Sequence, residues 1–420
     1  MGYRPSGLFS PGFWLESTGF VFSTTGTVLT MVYSTAFRPL LLPLLLIFTW
    51  LALGWTAAHA QAIPPAPQVP VRGYVLMDYQ SGNILAEMNS NERMEPASIT
   101  KLMTGYVIYQ ALKSGKIRLE DPVTISEKAW RTQGSKMFIQ VGSQVSVEDL
   151  LMGMVVQSGN DATVALAEHV AGSEETFVKL MNQEAERLGL TNSHFVNTPG
   201  MPDPNHYMSA RDIAVLSRAI IREFPEHYAR YSVGSFKYNN IEQQNRNELL
   251  LKDPSVDGIK TGHTQSAGYC LAASAKRDDT RLISVVLGAQ KMRERFQATQ
   301  TLLNYGFSFF ESRKLYDPSA PIVTARIWKG EDSELPLGVT QGLYVTVPKG
   351  QAPQVSTTTT VQPTIIAPVQ KDQPFGEIVV KVGEQEVSRT PLVALKDVPE
   401  SGWFGRMIDA ILMFFYSLFN

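Results

Sequence analysis

The apolar pattern changes its period twice between residues 70 and 312, and this restricts the fold more than any other feature of the chain. "RGYVLMDYQSGNILAEMN" alternates as two short strands about a Gln80-Ser81-Gly82-Asn83 turn. Apolar residues then recur about every 3.6 positions over Ser98 to Ser114, Val147 to Val156, Asp161 to Ala171, Glu174 to Leu188 and Ser209 to Glu223, which predicts a helical centre. Strand character returns in "VDGIKTG", "AGYCLAASAKR" and "TRLISVVLGA", before a last helix around Arg293 to Tyr305. Strands at both ends of one segment with helices between them predict an α/β domain over 71–312, a mixed sheet with helices packed against it.

The flanks have a different texture. Ahead of the domain lies a proline-rich spacer, 61–70. Further upstream, Arg38, an apolar run over Leu40 to Leu53 and then Ala58-His59-Ala60 follow the order of a secretory signal peptide. Residues 1–60 are therefore expected to be a leader cleaved after Ala60, with Ala62 as second choice and Met31 as the true start. The protein is accordingly expected to be exported. From Lys314 the chain turns to short alternating strands, a Thr-rich stretch (Thr357 to Thr360) and breaks at Pro353, Pro363 and Pro368, so 315–398 reads as a small β-rich domain. It shows no catalytic cluster, and a spacer or docking role is expected. In "GWFGRMIDAILMFFYSLFN" Arg406, Asp409, Ser417 and Asn420 share a narrow arc of a helical wheel, and Trp403, Phe404, Ile408, Ile411, Phe415 and Leu418 fill the rest. The apolar run is shorter than the roughly 20 residues a bilayer span needs. Residues 401–420 are therefore expected to lie in a membrane interface, aromatic face in lipid and polar edge in water.

Composition removes other classes. With 420 residues, 44% hydrophobic and 18% charged, the chain is globular material. A net charge of −2 and no dense Lys/Arg run argue against a nucleic-acid partner. The single cysteine, Cys270, precludes an intramolecular disulfide and sits in an apolar strand as a packed small residue. Six scattered histidines without ligand spacing give no reason to expect a metal or other cofactor.

Against this background Lys101 stands out. It follows Ser98 by three residues, within side-chain reach on one helical face, and Ile99, Leu102 and Met103 surround it. Desolvation disfavours the ammonium and lowers a lysine pKa, which suits a general base beside a serine nucleophile. Ser-x-x-Lys alone is common. Two further stretches give it weight: Ser158-Gly159-Asn160 at the end of an apolar run just before a helix, and Lys260-Thr261-Gly262 in a strand. Gly258 and Gly262 there are read as removing side chains that would block a ligand from the strand edge. Ser-x-x-Lys, a Ser-Asp-Asn element and Lys-Thr-Gly in this order are the signature of penicillin-binding proteins and class A β-lactamases.

On these motifs the chain resembles the low-molecular-mass penicillin-binding proteins, serine-type D-alanyl-D-alanine carboxypeptidases. The resemblance covers about residues 70–420 and extends to "GSKMF" (134–138), "SARDIAVLS" (209–217) and "QQNRNELL" (243–250), with Gly159 where lactamases usually carry Asp. It implies a β-lactamase/transpeptidase-like fold, a β-rich second domain and an amphipathic anchor at the periplasmic face of a bacterial inner membrane. It further implies that Ser98 attacks the carbonyl between the two terminal D-alanines of peptidoglycan stem peptides. In that scheme Lys101 takes the serine proton, Ser158 relays a proton to the leaving amine, and Asn160 holds Lys101 and the substrate amide. Backbone N–H groups of Ser98 and His263 form the oxyanion hole, while Lys260, Thr261 and Arg246, beside Gly262, receive the terminal carboxylate. The His263 side chain has no assigned role. β-Lactams are expected to acylate Ser98. The alternatives are a serine β-lactamase, for which no Glu-x-x-x-Asn loop is found between the second and third motifs, and a non-catalytic envelope scaffold or β-lactam sensor.

Overall fold

The computed structural model describes residues 63–419, with side chains as far as Phe415. The leader, its Ala60 and Ala62 cleavage sites and the Met31 start lie outside the described residues. At the centre of the first half is a five-stranded sheet of β1 (Gly73–Asp78), β2 (Ile84–Met88), β3 (Val256–Thr264), β4 (Gly268–Arg277) and β5 (Thr280–Ala289), in the order β2-β1-β5-β4-β3. Every pairing in it is antiparallel. The α/β architecture expected from the sequence is present, with a central sheet of antiparallel strands where a mixed sheet was expected. The reason is local: β1–β2, β3–β4 and β4–β5 are joined by short turns, which can link only antiparallel neighbours.

Both faces of the sheet are covered, and the strands alternate accordingly. Val75, Met77, Cys270, Ala272, Ile283 and Val285 face the main helical layer. Tyr74, Leu76, Leu271, Leu282 and Val286 face the opposite way. The main layer contains α1 (Lys101–Lys113), α2 (Val147–Met152), α3 (Asn160–Ala171), α4 (Glu174–Arg187) and α5 (Ala210–Glu223). Ser173 and Ser209 start α4 and α5 by accepting hydrogen bonds from the N–H groups of Thr176 and Asp212. The opposite face is covered by α6 (Met292–Phe309), through Phe296, Leu302 and Leu303.

Two expected helices are interrupted, both at functional residues. Ala97–Thr100 is a tight 3₁₀ turn that leads into α1, so Ser98 precedes the α-helix. The helix expected over Val147 to Val156 keeps α-geometry only to Met152 and continues as a π-type turn, Gly153–Gln157.

After α6 the chain passes directly into β6 (Phe310–Tyr316), which pairs with β9 (Leu343–Pro348). A six-stranded sheet follows, built from β7 (Val323–Trp328), β8 (Glu334–Gly338), β10 (Val355–Val361), β11 (Ile365–Ile366), β12 (Pro374–Val382) and β13 (Gln385–Ala394), in the order β10-β12-β13-β8-β7-β11. Ile327, Leu337, Val345, Ile378 and Leu392 give this half a core of its own. The two halves touch where Ser81 Oγ lies 2.6 Å from Thr346 Oγ1, and Lys349 Nζ donates to the Phe307 carbonyl at 2.7 Å.

The last helix, α7 (Trp403–Phe419), turns Asp409 inward. Asp409 accepts from the Lys329 N–H at 2.5 Å and from Arg326 Nη2 at 3.3 Å. The Asp409 edge expected in water therefore binds the β-rich half instead, because a backbone donor and a guanidinium are available there. Phe404, Ile408, Ile411 and Phe415 remain exposed. No described helix is long and apolar enough to cross a membrane.

Candidate active site

Ser98 lies in the 3₁₀ turn, where residues three apart eclipse one another, and this brings Lys101 Nζ to 3.0 Å from Ser98 Oγ. Ala97, just before the serine, is held left-handed at φ 48°. Lys101 is 1% exposed, and its nitrogen also lies 2.7 Å from Asn160 Oδ1 and 2.8 Å from the Pro199 carbonyl. Among the described residues it has no carboxylate ion pair. Burial, with the nearby Lys260 and Arg246 charges adding to it, pushes its pKa well below the ordinary lysine value, against a smaller opposing pull from Asp161. A neutral amine has two N–H donors and one lone pair. Oδ1 of Asn160 and the Pro199 carbonyl can take the two donors, which leaves the lone pair for the Ser98 hydroxyl proton.

Ser158 ends the π-type turn in a left-handed conformation, φ 66°. Its hydroxyl is buried without a hydrogen-bond partner, and with Ser98 it lines a cleft of about 720 Å³. Asn160 opens α3. Its amide nitrogen donates to the Gln133 carbonyl at 2.7 Å and to Met201 Sδ at 3.6 Å. The geometry therefore supports its hold on Lys101, whereas the amide expected to meet substrate is turned onto the loop before "GSKMF". That loop is fixed in turn by Asp161, whose carboxylate accepts from the Met137 and Phe138 N–H groups at 2.9 and 3.0 Å.

The other wall is the edge strand β3. A Cβ on Gly262 would lie 2.8 Å from the Pro96 carbonyl and 3.3 Å from Ala97 Cβ, and one on Gly258 would lie 2.8 Å from the Tyr228 hydroxyl. These glycines let the strand approach its own protein, the nucleophile turn in one case and an aromatic cluster in the other, and Gly262 also lines the cleft. Lys260, on the same face as Gly262, is buried, and burial plus the Arg246 and Arg295 charges lower its pKa to about 7. Thr261, Gly262, His263 and Arg246 line the cleft. The exposed His263 ring stacks on Tyr269 with centroids 4.0 Å apart.

Three contributors escaped the sequence reading. Arg295, in the first turn of α6, is 4% exposed, donates weakly to the Gly262 carbonyl at 3.3 Å, and lines the cleft with Nε unpartnered. Burial lowers its pKa to about 10. Pro199 acts through its carbonyl, which no side-chain motif reports. Gly200 beside it, at φ 88°, is the available signal: a Cβ there would lie 1.9 Å from the Ala97 carbonyl. His206 supports the same loop, accepting from the Val196 N–H on Nδ1 and placing Nε2 2.7 Å from Thr100 Oγ1. Its pKa is lowered by burial to about 4, so it is neutral and donates from Nε2.

A serine hydroxyl beside a buried amine whose pKa is held down by burial, facing a cleft lined by Arg246 and Arg295, suits acyl transfer from a substrate that ends in a carboxylate. Residues 59–291 match the family model described as D-alanyl-D-alanine carboxypeptidase. The chain belongs to that family. Residues 310–400 match a second model, the C-terminal domain of penicillin-binding protein 5. The chain is 45% identical over 373 residues to the D-alanyl-D-alanine carboxypeptidase DacC of Escherichia coli, covering 87% of this chain and 93% of that protein. The D-alanyl-D-alanine carboxypeptidase DacA of Haemophilus influenzae is 42% identical over 360 residues, covering 84% of this chain and 92% of that protein. Among solved structures, penicillin-binding protein 5 of Haemophilus influenzae superposes with a TM-score of 0.74 at 43% identity, covering 81% of this chain and all of that one. The ampicillin-bound penicillin-binding protein D2 of Listeria monocytogenes superposes with a TM-score of 0.54 at 28% identity, covering 58% of this chain and 100% of that chain. Family membership makes the protein a serine peptidase, a hydrolase of the penicillin-binding class with a β-rich C-terminal domain.

Proposed function

We propose that the protein removes the terminal D-alanine from peptidoglycan stem peptides through an acyl-enzyme on Ser98. The observation that carries this reading is Lys101, 1% exposed and 3.0 Å from Ser98 Oγ, with no carboxylate ion-pair partner among the described residues. Its lone pair takes the Ser98 proton as Oγ attacks the carbonyl between the two D-alanines. The N–H groups of Ser98 and His263 bind the oxyanion. Ser158, whose hydroxyl has no partner among the described residues, relays the proton held by Lys101 to the departing amine of D-alanine. Lys260, Thr261, Arg246 and the additional cation Arg295 receive the terminal carboxylate, the charge that distinguishes a C-terminal D-alanine from an internal one. Water then resolves the acyl-enzyme. A β-lactam enters by the same attack and leaves slowly.

In this reading residues 71–312 catalyse, 315–398 set the catalytic half off from a surface, and 401–420 lie on the periplasmic face of the inner membrane of a bacterium. The exposed Phe404, Ile408, Ile411 and Phe415 support the last assignment. A chain ending at Pro399 is expected to lose its binding to lipid vesicles while keeping activity on small D-Ala-D-Ala peptides; undiminished vesicle binding would refute the anchor.

The test of the chemistry is intact-mass spectrometry after brief exposure to benzylpenicillin, with Ser98→Ala alongside and a D-alanine release assay on a D-Ala-D-Ala peptide. A long-lived adduct on the wild type only, with D-alanine release, is expected. An adduct that clears quickly with hydrolysed drug accumulating would make the protein a β-lactamase, and no adduct would remove Ser98 as nucleophile.

A further inference from the structure

Far from Ser98, the catalytic and β-rich halves enclose a second groove. Cavities of about 540 and 350 Å³ share Arg218, Arg222 and Glu223 and so adjoin one another. Lys113, at the far end of α1 from Lys101, also lines it. At about 1.5 Å rise per residue, twelve residues of helix place Lys113 about 18 Å from Lys101, which makes this a separate site.

Four cations, Lys113, Arg187, Arg218 and Arg222, line the two cavities against one carboxylate, Glu223. That carboxylate is occupied: Arg222 Nη2 lies 2.7 Å away, and the Tyr106 hydroxyl donates to it. Among the described residues neither Arg218 nor Lys113 has an ion-pair partner. Arg218 uses Nε and Nη2 on the Tyr79 and Gln80 carbonyls, at 2.6 and 2.8 Å, which fixes the guanidinium and leaves Nη1 over. Burial and the neighbouring Arg222 lower its pKa against smaller opposing pulls from Tyr79 and Asp78, so the guanidinium is held at a cost that a bound anion would offset. The β-rich side contributes different chemistry. Tyr79 and Tyr344 line the same cavity together with Gln80 and Gln341. Phenol rings and side-chain amides suit the mixed C–H and O–H surface of a sugar.

We infer that this interdomain groove is a binding site for an acidic saccharide, with Arg218, Arg222 and Lys113 on its carboxylate or phosphate and the two tyrosines along its ring. The site does not depend on acyl chemistry at Ser98. It draws on both halves, so an occupied groove also ties α5 to the β8–β9 connection.

Calorimetric titration of the full chain, pre-acylated with benzylpenicillin so that the Ser98 cleft is filled, tests this. The probes are a disaccharide carrying N-acetylmuramic acid with a free carboxylate, N-acetylglucosamine 1-phosphate, and neutral chitobiose. At least one acidic probe is expected to bind about tenfold or more tighter than chitobiose, to weaken with salt, and to lose about tenfold in each of Arg222→Gln and Lys113→Gln. Which acidic probe binds identifies carboxylate or phosphate as the natural group. Lys113 is exposed at a helix end, so its variant keeps the test open should Arg222→Gln fold poorly. Equal binding of acidic and neutral probes, no binding of any, or binding unchanged in Lys113→Gln and Arg222→Gln would overturn the inference.

Discussion

Replacing Asn160 by aspartate puts the base assignment to a quantitative test. Oδ1 of Asn160 lies 2.7 Å from Lys101 Nζ, so a full negative charge there attracts the ammonium by about 6 kcal/mol at an effective dielectric of about 20. The new carboxylate is itself buried and loses hydration worth several kcal/mol, leaving a net preference for protonated Lys101 of about 3 kcal/mol. Lys101 must then give up that preference before it can accept the Ser98 proton. Acylation by benzylpenicillin at pH 7 is expected to fall by up to about a hundredfold, with the acidic limb of the rate profile moving upward. Stopped-flow acylation across pH 5 to 10 reads both quantities. Asn160→Ala separates charge from geometry: it deletes the same contact without adding an anion, so its limb should not move upward. An Asn160→Asp protein that acylates at the wild-type rate with an unshifted limb would show that Lys101 is not the base.

The lowered pKa of Lys260, about 7, predicts an alkaline limb: kcat/KM for D-Ala-D-Ala peptides should decline above about pH 7 as the carboxylate site loses a charge, and a steady-state profile flat to pH 9 would contradict it. The same shift affects stability. Between about pH 7 and the unfolded lysine value near 10.4 the unfolded chain binds a proton that the native chain has released, so the Lys260 contribution rises with pH across that window. Lys260→Met should therefore melt higher than wild type at pH 6 while losing substrate affinity, and an equal or lower melting temperature would refute the cost assigned to the buried cation. Gly200→Ala places a methyl 1.9 Å from the Ala97 carbonyl at a left-handed φ of 88°; a loss of about 2 kcal/mol or more in denaturant unfolding and slower acylation are expected, and a change below about 0.5 kcal/mol would contradict the packing.

What could be read in advance was what is written in side-chain order. Helix α5 is announced by the apolar period over Ser209 to Glu223, and the structure caps it with Ser209. Ser98, Lys101 and Asn160 were legible as residue types at spacing, and the structure brings them together. Strand direction was not legible, because alternation is the same in parallel and antiparallel sheets and only the short turns settle it. Gly258 and Gly262 were read as openings for a ligand, since a sequence shows that a side chain is missing but not what occupies the space. Arg295 escaped notice because "MRERF" reads as a solvated helix start, and its burial depends on the distant strands β3 and β4 above it. Pro199 contributes a backbone carbonyl, to which residue type is indifferent.

Gly262 bears on more than packing. The oxyanion site proposed above lies between a turn and a strand whose separation is set by an absent methyl group, 2.8 Å from the Pro96 carbonyl where a Cβ would stand. The aperture that receives the developing negative charge is thus gauged by hard contact and not by a hydrogen bond that could stretch. Ligands with different ring sizes must all pass the same gauge, so selectivity among acyl donors should follow the carbonyl geometry they present at that aperture more closely than the number of contacts they make elsewhere in the cleft.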